Sequence, residues 1–228
     1  MLTPEETQAL RLSLEVAARS VLLTLPFAIA VAWLLARRRF HGRFFLDALV
    51  HLPLVLPPVV VGYFLLLLLG SRGPIGAWLN DAFGIRLVFT RQGAAIATAV
   101  MSFPLVVRAI RLSLENVDRG LEDAARTLGA GAWDRFATIT LPLMLPGIIA
   151  GAIVAFAASL GEFGAVITFV SNIPGETQTL PLALYTALQT PDGDAAAARL
   201  ALISVGLGIT GLLVAEWLAR AVRSRMGN

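Results

Sequence analysis

Five stretches of this chain run apolar for about the length that crosses a bilayer, and that excludes folding as a water-soluble domain. A crossing helix needs roughly 20 apolar residues. Leu12–Ala36, Phe44–Leu69, Gly93–Ala109, Leu141–Val170 and Leu200–Ala219 meet or approach that length. Charged residues make up 14% of the chain and hydrophobic ones 57%, where a soluble domain carries about 25% charged. The expected architecture is an all-α polytopic membrane protein of about five transmembrane helices. It forms one domain over residues 1–228, with its core at about 8–220. The opening "MLTPEETQAL" has no basic segment and does not read as a cleaved signal peptide.

All 18 basic residues are arginine, and twelve fall in three clusters. Four lie in "RRRFHGR" (37–43), five between Arg108 and Arg135, and three in "RAVRSR" (220–225). Two spans separate each successive pair of clusters, so all three share one side. By the positive-inside rule that side is cytoplasmic. The N-terminus is then outside and the C-terminus inside. The segment 171–199, with Glu176, Asp192 and Asp194 against Arg199, suits the outer face. The net charge of +3 marks loops and not a nucleic-acid partner.

The fourth stretch is too long for one crossing. Thirty residues would run about 45 Å against a core of about 30 Å. It contains "SLGEFG" (159–164), so a helix crosses and breaks near Gly161–Gly164. Residues 172–189 then form a short outer or re-entrant element, because a sixth crossing would put the C-terminal arginines outside. "PLVLPP" (53–58) places three prolines in span two, and Pro104 interrupts span three. Both read as bends, for a pathway or for packing. Gly147 and Gly151 favour close helix contact.

Residues 110–140 are cytoplasmic on this topology. Leu121, Ala124, Ala125 and Leu128 share one helical face, with Glu122, Asp123 and Arg126 on the other. Asp118 suits an N-cap and Gly129 or Gly131 a C-terminal stop. A second short helix with Trp133, Phe136 and Ile139 follows, and "LPLMLP" opens span four. The period fits a docking helix and equally a helix lying on the membrane surface.

Some residues exclude chemistry. Without lysine the chain has no P-loop, and without cysteine it has no disulfide or thiolate site. His41 and His51 stand apart, and no zinc or triad constellation emerges. No metal and no cofactor is expected. Glu162 is the one acid well inside an apolar stretch, where an ionisable side chain is costly and has a purpose. A brace to backbone amides freed at the break is preferred over contact with a passing solute. Ser102, Ser159 and Thr168 offer neutral dipoles to a pathway, although each alone is expected to bond its own helix. Phe163 lies beside them at the break.

"EDAARTLGAGAWDRFATITLPLMLPG" (122–147) resembles the EAA loop of ABC importer permeases. Glu122, Ala124, Ala125, Gly129, Leu141 and Pro142 match its pattern, with Asp123 as an extra residue. "HLPLVLPPVVVGYFLL" (51–66), "SFPLVVRAIRLSLE" (102–115) and "SLGEFGAVITFVSNIPGETQTLPLALYT" (159–186) extend the resemblance over nearly the whole chain. Together they look like the molybdate permease subunits of type I importers, with the tungstate and sulfate or thiosulfate permeases similar in layout. The resemblance implies the type I ABC importer permease fold and a multi-pass place in a bacterial inner membrane. It implies a coupling loop at about 116–142 in which Glu122, Asp123, Ala124, Ala125, Leu128, Gly129, Leu141 and Pro142 serve ATPase coupling. It implies a homodimer, two ATP-binding subunits on the cytoplasmic side and an extracytoplasmic molybdate-binding protein. An intramembrane enzyme would need a catalytic set that isolated Ser, His and Glu residues do not form. A channel or secondary transporter would need no such loop.

Overall fold

In the computed structural model, backbone is described for residues 2–225. Side chains are described for residues 2–211 apart from Arg119, and for Leu213, Val214 and Trp217. The arginine side chains of the 220–225 cluster lie outside the described residues.

Helix α1 runs Pro4–Arg37, starting well before the expected Leu12. Its start is a capping box: the Thr3 hydroxyl accepts from the Glu6 amide, and Glu6 accepts from the Thr3 amide at 2.9 Å. The Thr-x-x-Glu spacing that marks such a start was legible in the sequence. Next come α2 (Arg43–Val55), α3 (Pro58–Leu69) and α4 (Pro74–Phe83). Helix α5 spans Arg91–Glu115, and α6 covers Arg119–Thr127. Helix α7 (Ala132–Arg135), a π-helical turn (Phe136–Thr140) and α8 (Leu141–Gly161) form one continuous rod. The chain closes with α9 (Gly164–Val170), α10 (Leu180–Gln189) and α11 (Asp194–Arg225).

Four helices are long and apolar enough to cross a membrane, and α2 with α3 counts as a fifth if that pair is one span. The bend expected within Phe44–Leu69 is sharp: the two halves diverge by 117°. Pro57 and Pro58 supply no backbone donors there. The residue before a proline avoids the helical region, and Leu56 is extended at ψ 143°. Pro104 lies inside α5, which stays helical through it. Span four begins earlier than "LPLMLP", at Ala132, and breaks where expected, between Gly161 and Gly164. Helix α10 has 10 residues, about 15 Å of rise, so it does not cross.

Helices α1, α5 and α8 pack together as the centre of the bundle. Apolar side chains gain little from leaving lipid, so membrane helices associate where small residues let backbones approach. Helix α1 buries Ala9, Ser13, Ala17, Ser20, Thr24, Ala28 and Ala32 in one stripe. Helix α8 does the same with Gly147, Gly151, Ala155 and Ser159. A Cβ on Gly147 would stand 2.4 Å from the Cβ of Ser113 and 2.9 Å from the Ala109 carbonyl. The α1 stripe is present in the sequence as a repeat of small residues.

Ion pairs among the described residues gather at two ends of the bundle. One end holds Arg37–Glu122, Arg111–Asp47 and Arg111–Glu115. The other holds Glu15 with Arg19 and Arg91, Arg91 with Glu176, and Glu6 with Arg199. The arginine clusters at 37–43 and 108–135 therefore meet at one end, with residues 171–199 at the other.

Candidate functional site

The segment joining α5 to α8 is built by local rules. The Asp118 carboxylate accepts from the Gly120 amide at 2.8 Å and caps the start of α6. At its close, Gly129 takes φ +87°, a conformation that costs glycine nothing. The Ala130 amide then donates to the Ala125 carbonyl at 3.0 Å, and the Gly129 amide to that of Arg126 at 3.1 Å. This pair of bonds is a Schellman closure. Arg135 donates to the Ala130 carbonyl at 2.7 Å and folds the loop back on α7.

The sequence separated two faces of α6, and the structure sets which of them points outward. Leu121, Ala124 and Leu128 are exposed, Leu128 at 88%, whereas Ala125 is half-buried. Glu122, on the polar face, turns inward. Its Oε1 lies 3.0 Å from Arg37 Nη2 and accepts from Thr140 Oγ1 at 2.9 Å. The reason is that two partners from other elements reach this one position. Asp123 and Arg126 do stay at the surface, as a pair 3.5 Å apart. Neither Arg37 nor Thr140 was singled out from the sequence; Arg37 was one of a basic run and carried no distinguishing signal.

Beyond Gly131 the chain is held by rings. Phe136 meets Trp33 of α1 edge-on at 6.4 Å and tilts against Trp133 at 5.7 Å. The π-helical turn precedes Leu141–Pro142, where proline withdraws a donor from the helical ladder. The Leu141 amide reaches the Phe136 carbonyl. An outward, partly apolar helix end with flanking charge thus sits on a frame fixed to α1 and α8.

The break near the other end places the second group. Glu162 is extended, and its Oε1 accepts from the Ala165 amide at 2.9 Å, one of the donors left over at the start of α9. Phe163 packs on Tyr185 with centroids 5.1 Å apart. Thr168 and Ser102 bond their own helices, to the Gly164 carbonyl at 2.8 Å and the Ala99 carbonyl at 3.3 Å. Ser159 departs from that expectation. Its hydroxyl donates to Ser20 of α1 at 3.0 Å, and it is buried. Among the described residues no group of three or more His, Cys, Asp or Glu is placed to hold a metal ion.

Residues 24–224 match the family model described as binding-protein-dependent transport system inner membrane component. The chain is 62% identical to the molybdenum transport system permease protein ModB of Escherichia coli (strain K12), over the full length of both. It is 42% identical to the sulfate transport system permease protein CysT of the same organism, covering 75% of this chain and 62% of that one. Among solved structures, the MetNI methionine ABC transporter in inward-facing conformations matches with a TM-score of 0.78. That match has 16% identity and covers 98% of this chain and 100% of that one. A bacterial ABC transporter importing the acidic polysaccharide alginate matches at 0.76, with 20% identity, 96% of this chain and 80% of that one. These two likenesses establish the fold.

Proposed function

The chain belongs to the family of binding-protein-dependent transport system inner membrane components, and on that premise we propose that it is the permease subunit of an ATP-driven molybdate importer. The observation that carries the substrate is 62% identity, from end to end, with a molybdenum transport permease. As a family member it is a multi-pass inner-membrane protein with the fold of ABC importer permeases. The proposed assembly is a homodimer of this chain, two ATP-hydrolysing subunits against the cytoplasmic ends, and an external molybdate-binding protein. ATP chemistry belongs to the separate subunits, because this chain has no lysine for a P-loop.

In this reading the end bearing Arg37, Arg111 and Glu122 is cytoplasmic, and residues 1–228 act as one transmembrane domain. Helix α6 is the coupling element. Leu121, Ala124 and Leu128 meet a cleft of the ATPase, and the small Ala side chain lets the surfaces approach closely. Closure of the ATPase pair on ATP then pushes α6 and, through Leu141–Pro142, the rod of α7 and α8. Glu162 braces the α8–α9 break with its neighbours Phe163 and Thr168, and Ser102 and Ser159 serve packing. A transported ion must leave as readily as it enters, so weak binding in the spans suits conduction. Selection rests with the external protein.

The test is uptake of radiolabelled molybdate, tungstate and sulfate into proteoliposomes carrying this chain, its cognate ATPase and the binding protein. Molybdate accumulation that requires ATP and resists excess sulfate is expected. Accumulation of sulfate over molybdate, as the CysT likeness would permit, overturns the substrate. Uptake without the ATPase overturns the mechanism.

A further inference from the structure

Helix α6 carries an attachment that docking does not use. The Glu122 carboxylate faces away from the exposed Leu121–Leu128 side and closes on two buried partners. Arg37, whose side chain is 8% exposed, lies 3.0 Å away at the end of α1. It also donates to the Val117 carbonyl at 3.5 Å, on the other side of the Asp118 cap. Thr140 is buried, donates to Glu122 at 2.9 Å, and ends the π-helical turn that continues into α8. The neighbouring Asp123–Arg126 pair is about two-thirds exposed on both sides and is of the kind that contributes little. An ion pair sheltered as Glu122–Arg37 is costs far more to break from one side.

The covalent route from α6 to α8 passes through Gly129 and Gly131, around which an added Cβ would meet nothing within 4 Å. The bonds that close this turn, Ala130 to Ala125, Gly129 to Arg126 and Arg135 to Ala130, stay within the loop and reach neither α1 nor α8. No chain link near α6 leads to α1 at all. The Glu122 side chain is the polar bridge that joins α6 directly to both spans.

We propose that Glu122 is a positioning residue, the strut through which α6 moves α1 by way of Arg37 and α8 by way of Thr140. The proposal rests on the reading of α6 as the docking helix. It differs in placing the glutamate inside the permease and not on the ATPase surface. The test uses the full transporter in proteoliposomes, read as uptake per ATP hydrolysed and as ATPase retained on purification. Glu122→Arg and Arg37→Glu singly should lower uptake per ATP about tenfold while the ATPase stays bound, and the double exchange should restore most of it, as coupled neighbours do. A double exchange no better than the worse single variant overturns the strut. Should the charge reversals fail to fold, Thr140→Val with Glu122→Gln provides the milder pair. Uptake per ATP unchanged in both also overturns the strut. Leu128→Asp separates the two ideas. Release of the ATPase by Leu128→Asp, without rescue by the exchange, sinks the strut alone. Retention of the ATPase in Leu128→Asp sinks the docking reading and the strut with it.

Discussion

The α5–α8 seam and the α6 helix are both rich in small residues, and they use them in opposite ways. At the seam, Gly147 lies so close to Ser113 and Ala109 that even a methyl group would collide. On α6, Ala124 and Leu128 are exposed, and a Cβ on Gly129 would meet none of the described residues within 4 Å. The same residue types close one interface and leave the other open. Smallness alone therefore says that something approaches, and only the surroundings tell whether it is this chain or another.

The strongest way to break the comparison is Gly147→Leu. Overpacking of a tight contact costs about 1–3 kcal/mol and occasionally more, and here backbone as well as side chain stands in the way. Little folded protein should survive, which fluorescence-detected gel filtration and thermal melting would measure; normal yield and melting would mean that the seam is loose. Leu128→Asp addresses the open side. An exposed substitution shifts stability by about 0.5 kcal/mol or less, so melting should be unchanged while ATPase co-purification falls about tenfold or more. A lowered melting point with the ATPase retained would show that α6 serves its own chain. The smallest effect is expected for Glu162→Gln, outside both regions. The amide oxygen still accepts from the Ala165 amide, so stability should change by about 1 kcal/mol or less, the scale of one hydrogen bond. Uptake should stay within about threefold. Complete loss of uptake with normal assembly would assign Glu162 a charged role.

Two proline stretches mark how far the sequence could be read. Pro57–Pro58 and Pro104 both predicted bends; the first separates two helices that diverge by 117°, and the second lies inside one continuous helix. The double proline acts locally, through its own missing donors and through Leu56, and needs no neighbour. Pro104 lies buried inside α5, which stays helical through it and packs against α1 and α8. Glu122 repeats the lesson. A helical period tells which residues share a face, and it assigned Glu122 to the polar one. Which face meets the rest of the chain depended on Arg37 and Thr140, far away in sequence and silent there.

By itself the sequence determined the membrane class, the apolar helices, the Asp118 cap, a glycine stop at Gly129 or Gly131 and the break at Gly161–Gly164. Each of these follows from residues within a turn or two of one another and from the demand that backbone groups be satisfied in lipid. The tertiary structure alone decided the Ser159–Ser20 bond across two spans and the inward turn of Glu122. Those outcomes rest on side chains that meet only once the helices have packed, where a single well-placed partner outweighs the local preference.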